Sequence, residues 1–160
     1  MKDHKGEHPL GDSLQIIFLL IYLVVWVGDS FILKITAFPA AYIPLYIRII
    51  IPALIFILAI VLVQKSHFIL EGEKRPEHVV AEGAFGYVRH PLYLASILFY
   101  FALAFSTGSL ICLGLVAVIF LFYNYIASYE ERILLEKFGE NYKLYMKKTG
   151  KWIPVIFGKK

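Results

Sequence analysis

The chain has 160 residues, one domain's worth, yet 59% are hydrophobic and only 18% charged, against about 45–50% and about 25% in a soluble globular protein. With a mean hydropathy of +0.70, a water-soluble fold of this size would leave too much apolar surface exposed, because small domains bury a modest share of theirs. One cysteine, Cys112, excludes an intramolecular disulfide and a Cys-based zinc site. The net charge of +4 comes from basic residues that flank apolar runs, where they set membrane orientation and do not mark a nucleic-acid surface. The expectation is an all-α integral membrane protein.

Residues 1–13 are polar, with Pro9 and Gly11, and read as a flexible end. The apolar run behind them has no small-residue cleavage site, so no cleaved secretory signal is expected. Two spans follow over residues 14–63. The first, 14–33, contains Asp29, and the second, 42–63, contains Arg48 and Pro52. Each has about the 20 residues needed to cross about 30 Å of hydrocarbon. The two charges lie at similar depth in an antiparallel hairpin, so a structural ion pair is the economical expectation for them.

The remaining stretch, 64–160, opens with a polar segment at 64–91 and continues with two apolar runs, 92–105 and 110–127, joined by Ser106-Thr107-Gly108-Ser109. These make four spans, with five the upper limit. The run 92–105 is short and spans only if its helix extends back through Arg89 and His90, or if it sits partly within the membrane's polar edge. From Ser128 the pattern turns amphipathic, and Gly139 is a natural helix stop. Fourteen of the sixteen Lys and Arg lie before the first span, in the 64–91 loop or after Ala127. The positive-inside rule then puts both termini and the loop in the cytoplasm.

The chemistry-bearing residues fall in that same half. GAFGYVRHPLY, Gly83 to Tyr93, brings Arg89 and His90 to a helix start at Pro91, a position that proline's fixed φ favours. Exposed helix N–H groups beside Arg and His suit a carboxylate or phosphate. Read alone, the segment is equally an interfacial cluster of Tyr87 and Tyr93 with snorkelling cations. Glu130 and Glu131 continue the last span as it leaves the membrane, where two adjacent carboxylates call for a cation; the alternative is a solvated helix with an Arg132–Glu136 pair. His4 and His8 have no third ligand, so no metal is expected, and no P-loop or dinucleotide motif is present.

Taken together, these motifs and the endings FGENYKLY and WIPVIFG resemble the isoprenylcysteine carboxyl methyltransferase family over residues 77–158. The matching positions are Gly83, Tyr87, Val88, Arg89, His90, Pro91 and Tyr93, then Glu130, Glu131, Leu134, Phe138, Gly139, Tyr142 and Tyr145. Ala84, Gly86 and Ala95 depart from the family's usual residues, and Ile126 stands where eukaryotic members carry a substrate-contacting Arg. The resemblance implies a membrane methyltransferase that uses S-adenosylmethionine without a Rossmann domain and acts on a lipophilic acceptor within the bilayer. It implies that Glu77, His78, Val79, Val80 and Phe85 flank the adenosine. His90, Pro91, Leu92 and Tyr93 would hold the cofactor's polar groups, Glu130 and Glu131 its amino-acid part, and Arg89 is the catalytic candidate. A carboxylate acceptor such as a prenylcysteine fits the lack of an evident general base. The alternatives are a phospholipid or thiol methyltransferase, an NADPH-dependent sterol-type reductase relative, or a non-catalytic membrane protein.

Overall fold

The structure, a computed structural model, describes residues 11–72 and 78–155. The described residues are almost wholly helical. α1 (Gly11–Val27) runs on into a π-helical turn, Gly28–Leu33, which Lys34 ends in the left-handed region. α2 is Leu45–Gly72, α3 Pro91–Thr107, α4 Leu110–Phe138 and α5 Glu140–Lys148. Short 3-10 turns at Phe38–Ala41 and Gly83–Gly86 precede α2 and α3.

Three segments, Leu14–Leu33, Leu45–Ser66 and Leu110–Phe138, are long and apolar enough to cross a membrane, and α3 is a shorter apolar helix of 17 residues. α3 begins at Pro91 and does not extend back through Arg89 and His90. Proline disfavours helical backbone in the residue before it, and His90 accordingly has φ −125° and ψ 65°. The helix gains its length at the other end, through Ser106 and Thr107.

α3 is the central helix. α2 runs along it, and α1 packs on α4 and α3. Ala95, Ala102 and Ala104 are buried on α3 and allow close helix approach. Tyr22, Trp26 and Ser30 follow one another at four-residue spacing on a single face of the first span. The Tyr22 hydroxyl donates to the Tyr100 carbonyl (2.6 Å), the Trp26 indole to the Leu103 carbonyl (3.0 Å), and the Ser30 hydroxyl to Thr107 Oγ1 (2.8 Å). Lipid tails are as apolar as leucine, so such interhelical bonds help to hold the bundle.

Asp29 and Arg48 do not pair with each other. The Asp29 carboxylate accepts from the Thr36 amide (2.9 Å), the Thr36 hydroxyl (2.6 Å) and the Ser109 hydroxyl (2.5 Å). Arg48 donates to the carbonyls of Ser106 and Ala40, both at 2.9 Å. The π turn swings Asp29 inward toward the start of α4, where Ser109 also caps the Cys112 amide. Similar depth gave the two charges a common level, but not a common direction around the helix axes.

Gly108 makes the tight corner between α3 and α4. Its φ is +67°, and an added Cβ would lie 2.7 Å from the Ala40 nitrogen. Gly108→Ala should cost about 2 kcal/mol or more, from the left-handed backbone and the clash together. Gly114→Ala, where a Cβ meets nothing within 4 Å, should stabilise by about 0.5–1 kcal/mol as a helix-interior replacement. Thermal unfolding of the two variants in detergent checks both, and equal melting temperatures would refute the corner's role.

Candidate active site

At the end of the bundle opposite Asp29, the residue pairs Arg89–His90 and Glu130–Glu131 meet. α4 continues unbroken past the apolar run and carries both glutamates out before Gly139 stops it, at φ +54°. Arg89 Nε donates to Glu131 Oε1 (2.8 Å), and His90 Nε2 faces the same oxygen at 3.1 Å. That oxygen is a carboxylate acceptor, so Nε2 donates to it. The other ring nitrogen, Nδ1, lies 3.6 Å from Glu130 Oε2. The Tyr93 hydroxyl donates to Glu130 Oε1 at 2.5 Å. His90 is buried and bridges the two carboxylates.

The expected α3 start at Pro91 leaves the first amides of the helix without a side-chain cap from His90. Leu92 and Tyr93 are the first residues of the helix that carry an N–H, Pro91 having none. The rings form a row. Tyr123 stacks on Tyr93 (5.1 Å between centroids), Tyr93 on His90 (5.8 Å), and Trp152 lies against the other side of His90 (5.9 Å).

Arg89 has a second task. Its Nη1 donates to the carbonyls of Thr149 (2.5 Å) and Met146 (3.2 Å), and its own amide donates to the Gly150 carbonyl (2.9 Å). Val88 and Gly150 form an isolated parallel bridge. The segment 149–155 is thereby strapped across the site. Gly150 lets it turn, because a Cβ there would lie 1.8 Å from the Ile153 carbonyl oxygen. Beyond the turn, Lys151 Nζ donates to Ser128 Oγ (2.7 Å) and the Asn124 carbonyl (3.2 Å), and the Trp152 indole to Asn124 Oδ1 (3.1 Å).

Burial pushes the Tyr145 hydroxyl up to about 12, with Arg89 opposing and Glu131 reinforcing, so it stays a donor to the Phe85 carbonyl (2.7 Å). Burial also raises Tyr142 and lowers the Lys151 ammonium, the latter partly offset by Glu131.

Of the residues singled out from sequence, Arg89, His90, Tyr93, Glu130 and Glu131 converge, with Pro91 buried and Leu92 half-buried at the helix start. Phe85 joins through its carbonyl. His78 is exposed, and Val79 and Val80 are half-buried in the irregular segment before Gly83. Glu77 lies outside the described residues. Lys151, Asn124 and Ser128 were not anticipated at the site, and Trp152 entered only as the start of the WIPVIFG ending, without a role. The only signal for them was the KWIP stretch after a helix ending in two lysines, and its chain reversal is visible only in three dimensions.

One helical turn from Tyr93, a cavity of ≈510 Å³ opens between α1, α2 and α3. Gln15 and Gln64 mark one end, and its walls include Leu19, Phe56, Ala59, Val63, Ala95, Ser96 and Phe99, with Tyr123 from α4.

With this geometry in view, the comparisons are specific. The profile of the phospholipid methyltransferase family matches residues 47–141, more than half of the chain, and the protein belongs to that family. A Schizosaccharomyces pombe relative named protein-S-isoprenylcysteine O-methyltransferase is 28% identical over 92 residues, which cover 57% of this chain and 39% of the relative. The chain thus matches about two fifths of that relative's length. No solved structure matches. The family and the apolar helices together describe a multi-pass membrane protein.

The Arg89–Glu131 pair is only 10–11% exposed, and removing one partner of such a pair leaves a buried charge uncompensated. Arg89→Gln should destabilise by about 3 kcal/mol and release the strap. Hydrogen exchange would read this as faster exchange at Gly150 to Ile153 with α3 unchanged. Unaltered strap protection would show that Arg89 does not hold it.

Proposed function

We propose that the protein transfers a methyl group from S-adenosylmethionine to a lipophilic acceptor held in the bilayer, the carboxylate of a prenylcysteine-like molecule being the preferred class. The observation that carries this reading is the Glu130–His90–Glu131 bridge beside an uncapped helix N-terminus, one turn from an apolar cavity. Family membership and the name of the yeast relative support it.

The donor set fits the cofactor's amino-acid part. A zwitterion needs an anion for its ammonium and N–H donors for its carboxylate, which Glu130 and the Leu92 and Tyr93 amides supply. Bound there, S-adenosylmethionine would supply a methyl on a sulfonium, so that transfer to a carboxylate oxygen forms an ester and returns a neutral thioether with no proton moved. The chain's work is then positioning and exclusion of water. His90 keeps Glu130 and Glu131 in one arrangement. Arg89, the catalytic candidate, has Nη2 as its one nitrogen without an acceptor among the described residues and would steady negative charge near the transfer. Val79, Val80 and Phe85 would border the adenosine. The cavity's walls are almost wholly apolar, as the hydrocarbon part of such an acceptor requires. Basic-residue placement favours a cytoplasmic site.

The family's name favours a second reading, methylation of a phospholipid amine. Calorimetric titration of detergent-purified protein with S-adenosylmethionine, S-adenosylhomocysteine and NADPH tests the cofactor first. A screen of prenylcysteines against phosphatidylethanolamine then separates the acceptors. Glu130→Gln and His90→Ala should each weaken S-adenosylhomocysteine binding at least about tenfold while the protein stays folded, as expected for loss of a charge-assisted contact. Unchanged affinity in both variants, or binding of NADPH in place of the adenosyl ligands, would overturn the assignment.

A further inference from the structure

Lys151 is the cation whose surroundings the proposed chemistry does not explain. Its two acceptors, the Ser128 hydroxyl and the Asn124 carbonyl, are both neutral, and among the described residues no carboxylate lies within ion-pairing distance of it. Arg89 and His90 are both engaged by glutamates. A partly buried ammonium whose direct acceptors are neutral, with Glu131 acting only at longer range and the Trp152 ring 5.8 Å away, gains from a nearby anion.

Its position says which anion. Ser128 is the first residue beyond the apolar run of α4, so the ammonium stands at the edge of the hydrocarbon, at headgroup depth. Leu121, Asn124, Tyr125 and Ser128 share one face of α4 by their 3–4 residue spacing. Asn124 and Ser128 bind the strap. Leu121 and Tyr125, 66% and 61% exposed, continue that face toward the bilayer centre, and Ile153 on the strap is 73% exposed. An ammonium at the interface above an apolar ridge is the complement of one anionic headgroup with its acyl chain below. Burial has already pushed the ammonium's pKa down, which a bound anion would reverse.

We propose that Lys151 and the adjoining face of α4 bind an anionic phospholipid, whose headgroup braces the 149–155 strap. The strap carries Trp152 against His90, so bilayer composition would reach the carboxylate pair through two contacts. Lys151 is a positioning residue in this scheme and touches no reacting atom.

The full chain, reconstituted in nanodiscs of phosphatidylcholine alone or with one third phosphatidylglycerol, tests the idea without any turnover assay. Hydrogen exchange at Gly150 to Ile153 should slow about fivefold or more when phosphatidylglycerol is present, because a ligand bound to the closed strap stabilises it. Native mass spectrometry should find phosphatidylglycerol retained on the protein. Lys151→Gln should remove both effects, and Lys151→Arg, which keeps the charge, should preserve them. Equal exchange in the two bilayers, or a lipid effect that survives in Lys151→Gln, would overturn the proposal. So would loss of prenylcysteine affinity in Lys151→Gln with no lipid dependence, which would make Lys151 an acceptor anchor.

Discussion

Glu131 is the residue on which the polar end of the molecule depends. One oxygen of its carboxylate receives both Arg89 and His90, two neighbours in sequence that arrive from the far side of α3. Two adjacent glutamates at the end of a spanning helix are costly to bury unless cationic or N–H donors meet them. Here the donors come from the loop before α3, which fixes that loop against α4. Arg89 then turns its remaining donors on the Met146 and Thr149 carbonyls. A single ion pair therefore locates the loop, the start of α3 and the segment after α5. The cofactor and acceptor reading is an inference built on that frame.

The opposite end of the bundle solves a different problem with similar means. Asp29 is buried with no cationic partner among the described residues, and three donors on Thr36 and Ser109 satisfy it. Arg48 is satisfied by two carbonyls that its helix neighbours leave free at the Ala40 and Ser106 turns. Each charge completes the hydrogen bonding of a chain reversal, where backbone groups have lost their helical partners. The first span is thus tied to α3 and α4 at its outer end, while its other end is left to border the cavity.

The apolar runs, the stop at Gly139 and the need of Glu130 and Glu131 for a cation were legible in the sequence, because run length, glycine and charge cost are local properties; that the cations are Arg89 and His90 was not, since only the family resemblance put the two motifs at one site. The Asp29–Arg48 pairing was misread because hydropathy gives depth and nothing about rotation around a helix; the π turn at Gly28–Leu33 supplied the rotation. Of the two ways in which the short run 92–105 could serve as a span, extension back through Arg89 and His90 is excluded by Pro91, whose effect on the preceding backbone is itself a sequence-level rule. The strap was illegible for another reason. Lys151 and Trp152 reach Asn124 and Ser128 only because the chain reverses at Gly150, and that reversal depends on Arg89, sixty residues earlier.

These observations make the site a composite of three separated segments assembled at one end of the helix bundle. The profile match ends at residue 141, so the strap lies beyond the stretch that defines the family, yet it contacts His90 at the centre of the carboxylate pair. A ring pressed between Tyr93 and Trp152 has little freedom to rotate, and the two glutamates it bridges share that constraint. Precision at the polar site is therefore set partly by a segment whose own anchors are the Lys151 and Trp152 contacts to Asn124 and Ser128 on α4. Such second contacts hold the groups that hold the site, and a residue far from the carboxylates can thereby decide how closely they are kept in place.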